Sequence, residues 1–146
     1  MTKKRIAIGC DHAGFKLKLE VTAHLKNIGF EIIDFGTNSE ASIDYPDYGH
    51  PVANCVEENS DVVGIVICGS GNGINMTVNK HQEIRSALCW TKEIASLARQ
   101  HNDANILALP ARFISTELGI EMVDVFLETD FEGGRHQNRV NKIACS

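Results

Sequence analysis

Val62-Val63-Gly64-Ile65-Val66-Ile67-Cys68, followed at once by Gly69-Ser70-Gly71-Asn72-Gly73-Ile74-Asn75, is the stretch on which the fold reading turns. Seven successive residues without a charge, rich in β-branched side chains and showing no polar alternation, predict a strand covered on both faces. The glycines that follow let the backbone turn sharply, and Ile74–Asn79 then opens a helix. The same grammar extends in both directions. Upstream, Arg5–Gly9 reads as a strand, and Phe15–Ile28 as a helix with Phe15, Leu17, Leu19, Val21, Leu25 and Ile28 mostly on one side. Gly29 ends that helix, and Phe30–Phe35 is a second strand closed by Gly36. Downstream come a short strand (Arg85–Cys89), a helix over Thr91–His101, a strand (Asn105–Leu109) and a helix over Ser115–Leu127. Thr91 and Ser115 are placed as N-caps. The tail Arg135–Ala144 follows Gly133-Gly134 and can form a last helical arm. Strands alternating with helices predict right-handed crossovers and a parallel sheet sandwiched between helices. The expected fold is one Rossmann-like α/β three-layer sandwich, with about five strands and a C-terminal arm, over residues 1–146.

Composition narrows the function. With 43% hydrophobic and 23% charged residues, the chain has the balance of a folded globular protein. A net charge of −5 argues against nucleic-acid binding, which needs a basic stripe. The apolar run Ile6–Cys10 is too short for a signal-peptide core, and Asp11 and His12 interrupt it. No membrane association and a cytoplasmic location are therefore expected. Five cysteines, an odd number without a C-x-x-C pair, read as free thiols rather than as disulfides or a zinc site. Neither metal nor cofactor is expected.

In open parallel sheets the ligand lies beyond the carboxyl ends of the strands. That rule draws attention to Gly9-Cys10-Asp11-His12-Ala13-Gly14, to Cys68–Asn75 and, placed on the same rim, to Arg99-Gln100-His101-Asn102-Asp103. The Cys68–Asn75 turn can bring several N–H groups to a phosphate or an enediolate oxygen. Its Gly-x-Gly-x-Gly pattern is not the dinucleotide fingerprint, and no acidic residue ends the next strand to hold a ribose. Cys68, at the mouth of this turn, is read as a reactive thiol, since a helix start favours the thiolate. Cys10 and Cys89 are read as buried structural thiols. Asp11 can be a helix cap, His101 a cation at a helix end, and Arg135 with Arg139 a solvated face four residues apart; an anion clamp is the alternative for the arginines. The irregular stretch Gly36–Tyr48 carries Asp44-Tyr45-Pro46 and is long enough to be functional.

Taken together with Asn79-Lys80, Arg99–Asn105 and Glu132-Gly133-Gly134-Arg135-His136-Gln137-Asn138-Arg139-Val140, these segments resemble ribose-5-phosphate isomerase type B, a family that includes the galactose-6-phosphate isomerase subunits. The resemblance runs through essentially the whole chain. It implies homodimers, in some members paired into tetramers, with the active site at the dimer interface. By motif, Cys68 resembles the base that takes the C2 proton and returns it at C1. Ser70, where many members have threonine, keeps the orienting hydroxyl. The N–H groups of Gly69, Gly71, Asn72, Gly73 and Asn75 resemble the anion hole. His101 resembles the group that assists ring opening, with Asp11 across the sugar. Tyr45 and Asn102 match substrate-lining positions, and His12, Arg112, Arg135 and Arg139 match the phosphate ligands. Some relatives use a glutamate as base and lack this cysteine, so Cys68 places the chain in the cysteine branch.

The chemistry required agrees with that set. Moving a carbonyl from C1 to C2 needs a base near both carbons and donors for the developing oxyanion. If the backbone turn supplies the donors, no metal is required. The expected reaction is interconversion of ribose 5-phosphate and ribulose 5-phosphate in the pentose phosphate pathway. A six-carbon substrate (allose 6-phosphate or galactose 6-phosphate), a non-catalytic sugar-phosphate-binding module and a thiol redox sensor are the alternatives.

Overall fold

In the computed structural model, which describes residues 5–145, the apolar run becomes the central strand of a five-stranded sheet. The strands are β1 (Arg5–Cys10), β2 (Glu31–Asp34), β3 (Val62–Cys68), β4 (Ser86–Leu88) and β5 (Ile106–Pro110), ordered β2-β1-β3-β5-β4 and parallel throughout. Every residue of β3 is buried, as its unbroken hydrophobicity predicts. Among the described residues six α-helices surround the sheet, α1 (Phe15–Asn27), α2 (Pro46–Glu58), α3 (Asn72–Val78), α4 (Lys92–Asn102), α5 (Thr116–Glu128) and α6 (Arg135–Val140), and a 3₁₀ turn (His12–Gly14) capped by Asp11 leads into α1.

The strand period of two divides the core. Ile6, Ile8, Ile65 and Ile67 face one layer with Leu17, Val21 and Leu25 of α1, Ala95 and Ala98 of α4, and Met122 and Phe126 of α5. Ala7, Val66, Cys68 and Ala108 face the other, with Val52 and Val56 of α2 and Ile74 and Val78 of α3. Gly64 interrupts β3 because the second layer closes on it. A Cβ there would stand 2.8 Å from Ile106 Cγ1 and 2.9 Å from Val52 Cγ1.

Both proposed caps form: the Thr91 hydroxyl accepts the Ile94 N–H at 3.2 Å, and the Ser115 hydroxyl accepts the Leu118 N–H at 3.1 Å. Three features depart from the sequence reading. Helix α2 occupies a region assigned no element; Pro46 sits in its first turn, where a missing N–H costs nothing, and Pro51 lies inside it. Helix α3 begins two residues earlier than Ile74. The arm is helical only over Arg135–Val140, and it folds back on its own domain: Val140 is buried, and the Cys145 N–H donates to Gln82 Oε1 at 2.7 Å.

Lys18 of α1 is among the largest fully buried side chains. Its ammonium donates to Asp34 Oδ1 and Oδ2 at 2.8 and 2.9 Å, to the Thr37 carbonyl at 2.7 Å and to Asn38 Oδ1 at 3.1 Å. A buried charge needs this many partners. The group binds the chain after β2 to α1 and so shapes the loop that reaches the site. Among the described residues no helix is long and apolar enough to cross a membrane.

Candidate active site

The carboxyl edge of the three central strands gathers one set of the predicted residues. Cys68 ends β3 opposite Pro110, with its side chain 5% exposed. The loop from β5 is laced to the loop from β3: the Ala111 N–H donates to the Cys68 carbonyl and the Arg112 N–H to the Gly69 carbonyl, both at 3.0 Å. This lacing lays the Arg112 side chain against Gly69, whose missing Cβ would lie 3.2 Å from Nη1. On the other flank the Asp11 N–H donates to the Ile67 carbonyl at 3.1 Å, which brings Asp11 and His12 beside β3.

Three polar side chains here have definite hydrogen-bond partners. Asp11 Oδ1 accepts the Gly14 N–H at 3.0 Å, so the capping role is real, and the residue is 7% exposed. His12 Nδ1 accepts the Ile43 N–H at 3.3 Å. A backbone N–H can only donate, so in the neutral ring the proton sits on Nε2. His12 therefore offers a donor, as a phosphate ligand must. The Ser70 hydroxyl accepts the Asn72 N–H at 3.2 Å, which leaves its own proton to give.

The glycine turn is built by close approach. Gly71 has φ +77°, and a Cβ there would collide with the Leu88 side chain. Tyr45 covers Gly73, with ring carbons 2.5–2.9 Å from where a Cβ would be. Not every N–H of the turn is available to an anion. That of Asn72 is held by Ser70, and that of Asn75 donates to the Gly71 carbonyl at 3.1 Å, closing the first turn of α3. The Asn72 and Asn75 N–H groups, which the resemblance puts into an anion hole, are thus engaged within the turn itself. Asn75 Oδ1 is buried without a hydrogen-bond partner among the described residues.

The second set lies elsewhere. Helix α4 runs antiparallel to the strands, so its end, His101-Asn102, reaches the amino edge where β5 begins. The placement of this segment on the carboxyl rim is thus corrected. In the β3–β5 register Ile106 pairs with Gly64 and Pro110 with Cys68, so the strand start that α4 leads into lies about 13 Å from Cys68 along the strand direction. Arg135 and Arg139 share this amino edge. The Glu132 N–H donates to the Gln100 carbonyl at 3.0 Å, and the His136 ring stacks on His101 at 4.3 Å between centroids. Both arginines are exposed, joined by an Arg139 Nη1 to Arg135 carbonyl bond of 3.3 Å. One chain therefore brings Asp11, His12, Tyr45, Cys68, Ser70 and Arg112 to one edge, and His101, Asn102, Arg135 and Arg139 to the other.

The remaining thiols separate by burial. Cys10 and Cys89 are fully buried, and desolvation pushes their pKa values up to about 11 and about 12, although the Lys18 charge pulls Cys10 down. Both remain thiols at neutral pH, in keeping with a structural role. Cys145 is exposed.

A parallel sheet with a thiol, a glycine-rich turn and a histidine donor at its central carboxyl edge has the build of an α/β enzyme, a class in which ligands lie beyond that edge. The family model described as Ribose/Galactose Isomerase matches residues 6–143, and the chain belongs to that family. It is 48% identical to ribose-5-phosphate isomerase B of Escherichia coli over 142 residues, covering 97% of this chain and 95% of that one. Its fold matches the crystal structure of the Thermotoga maritima ribose 5-phosphate isomerase with a TM-score of 0.94 at 48% identity, covering 96% and 97% of the two chains. The Mycoplasma genitalium ribose-5-phosphate isomerase B, solved with bound ribulose-5-phosphate, matches with a TM-score of 0.92 at 45% identity, covering 95% and 93%.

Proposed function

We propose that this chain interconverts ribose 5-phosphate and ribulose 5-phosphate, as a cytoplasmic enzyme of the pentose phosphate pathway, from a site completed by a second copy of itself. The observation that carries the reading is Cys68, held at the end of the central strand against a glycine turn, with His12 and Arg112 on the same edge. In the open-chain aldose the Cys68 thiolate takes the proton from C2. The C2–H electron pair becomes the C1–C2 double bond, and the carbonyl electrons move onto O1. N–H groups of the turn stabilise that oxygen. The C1–C2 double-bond electrons then take the proton back from the thiol at C1, the O2–H electron pair forms the C2 carbonyl, and the O2 proton passes to the O1 oxyanion. The Ser70 hydroxyl, already fixed by the Asn72 N–H, orients the reacting hydroxyls. His12 and Arg112 hold the phosphate away from the reacting carbons, which supplies positioning.

Ring opening and the rest of the phosphate grip come from His101, Asn102, Arg135 and Arg139 of the partner. Support lies on α4, where Ile94, Leu97 and His101 share one face, with exposures of 48% and 40% for the two apolar residues. Trp90 and Phe113, also exposed and with rings 5.3 Å apart, extend this apolar strip to the carboxyl edge. Two such strips packed antiparallel about a two-fold axis bring each His101 toward the other chain's Cys68. The reading covers residues 1–146 as one catalytic domain and places a homodimer as the minimal active unit. The family's double description, ribose and galactose, keeps a six-carbon phosphate as the second substrate reading.

The test is isomerase activity on ribose 5-phosphate, with chelator present, for the parent and for Cys68→Ala. Chelator-resistant activity in the parent and a loss of roughly 10²–10⁴-fold in the variant are expected for removal of a general base. An inactive parent sends the reading to six-carbon phosphates, and a fully active variant removes Cys68 as base.

A further inference from the structure

The amino edge holds a group of side chains that the isomerase chemistry does not fully use. His101, Glu132 and His136 each offer one ligand atom, and these atoms lie within 4.8 Å of one another. The two imidazoles are half-buried and stacked with 14° between their planes, and Glu132 Oε1 lies 3.5 Å from His136 Nε2. The arrangement rests on backbone as well as side chains. The Glu132 N–H to Gln100 carbonyl bond ties the segment before α6 to the last turn of α4, and the His136 N–H donates to the Gly133 carbonyl at 3.0 Å.

Two imidazoles and a carboxylate are a ligand set for a borderline divalent ion, Zn²⁺ foremost, and not for Mg²⁺ or Ca²⁺. With bonds of about 2.0–2.2 Å to each ligand, tetrahedral coordination sets the ligand atoms roughly 3.3–3.5 Å apart. An ion lies in the plane of each imidazole it binds, so binding turns one ring out of the observed stack as the ligand atoms close from within 4.8 Å of one another. Glu132, the most exposed of the three, has the most freedom to move. Three protein ligands leave the fourth position open.

We propose that His101, Glu132 and His136 form an inhibitory site for Zn²⁺ and ions like it. Occupation ties up a His101 nitrogen and withdraws the residue from proton transfer to the sugar ring; this half of the proposal rests on the ring-opening role given to His101 above. Zinc then acts on the enzyme through the amino edge, away from the thiol of the same chain.

The test uses the full-length protein. Co²⁺ is titrated into the parent, Glu132→Gln, His136→Asn and Cys68→Ala, and the visible absorption of tetrahedral Co²⁺ is recorded, followed by displacement with Zn²⁺. Isomerase activity is measured over the same Zn²⁺ range. Expected are one Co²⁺ per chain in the parent and in Cys68→Ala, and affinity weakened at least about ten-fold in Glu132→Gln and His136→Asn. The Zn²⁺ inhibition midpoint should shift by the same factor in Glu132→Gln, whose metal-free activity matches the parent. No tetrahedral spectrum, or a site lost in Cys68→Ala and kept in Glu132→Gln, overturns the site while leaving the isomerase reading intact. Binding that follows Glu132 and His136 without inhibition overturns the inhibitory half and the role assigned to His101.

Discussion

Mixing two dead variants should restore activity. Cys68 ends β3 opposite Pro110, whereas His101 precedes the Gly64–Ile106 pairing at the other end of the same strands. Those two strand ends stand about 13 Å apart, far beyond the roughly 3 Å over which a side chain reaches the proton it moves. If the active unit is a two-fold dimer, each site takes its Cys68 from one chain and its His101 from the other. Cys68→Ala and His101→Asn should each be nearly inactive alone. In a heterodimer of the two, one site carries both lesions and the other carries neither. Random pairing gives about half heterodimers, each with one of two sites intact, so about a quarter of parent activity should return. The assay mixes the variants in equal amounts, unfolds and refolds them together, and measures ribulose 5-phosphate formation against each variant refolded alone. Co-refolded protein that is dimeric by light scattering yet no more active than its components would refute assembly of the site across the interface.

Three other outcomes follow from particular contacts. Lys18→Met leaves the Thr37 carbonyl and Asp34 without their buried cation and should destabilise the fold by about 3 kcal/mol; denaturant melts measure this, and a change below about 1 kcal/mol would contradict a structural role for the pair. Gly73→Ala pushes a methyl into the Tyr45 ring, which is 40% exposed and can swing aside, so KM should rise with little change in melting temperature; an unchanged KM would remove Tyr45 from the substrate wall. The buried thiols give a pH dependence whose sign is fixed. The folded pKa values of Cys10 and Cys89 lie above the ordinary thiol value, so their contribution is whole below about pH 9 and is lost as pH rises through about 11 to 12. Cys10→Ala/Cys89→Ala should flatten the stability curve in that window, and a double variant as alkali-sensitive as the parent would show that other groups control it.

Much of the fold is legible because the decisive signals are local. Val62–Cys68 carries its double-sided burial in its composition, and Thr91 and Ser115 carry their caps in their side chains. Helix α2 is obscured because Pro46 and Pro51 read as loop residues, although a proline at a helix start is favourable and Val52 and Val56 show helical spacing. His101 falls on the wrong edge for an avoidable reason: a helix leading into a parallel strand must end where that strand begins. Lys18 is invisible from sequence because a lysine on an amphipathic helix reads as solvated, and its partners at Asp34, Thr37 and Asn38 gather only when the sheet forms. Among the carboxyl-edge residues Asp11, His12, Cys68 and Ser70 stand out by their position at strand ends, whereas Arg112 is carried by the family resemblance alone. The donor count of the glycine turn is not legible, since whether Asn72 and Asn75 keep free N–H groups depends on a hydroxyl rotamer and a helix start.

The division of the polar residues between two edges of one sheet also bears on how such a gene can diverge. If a second copy completes the site as proposed, one copy can after duplication lose the chemistry at its carboxyl edge and the other at its amino edge, and a mixed assembly still keeps one whole site. Neither copy then works alone, so selection holds the two together as an obligate pair. Meanwhile, the edge that each has abandoned is free to drift toward a new ligand.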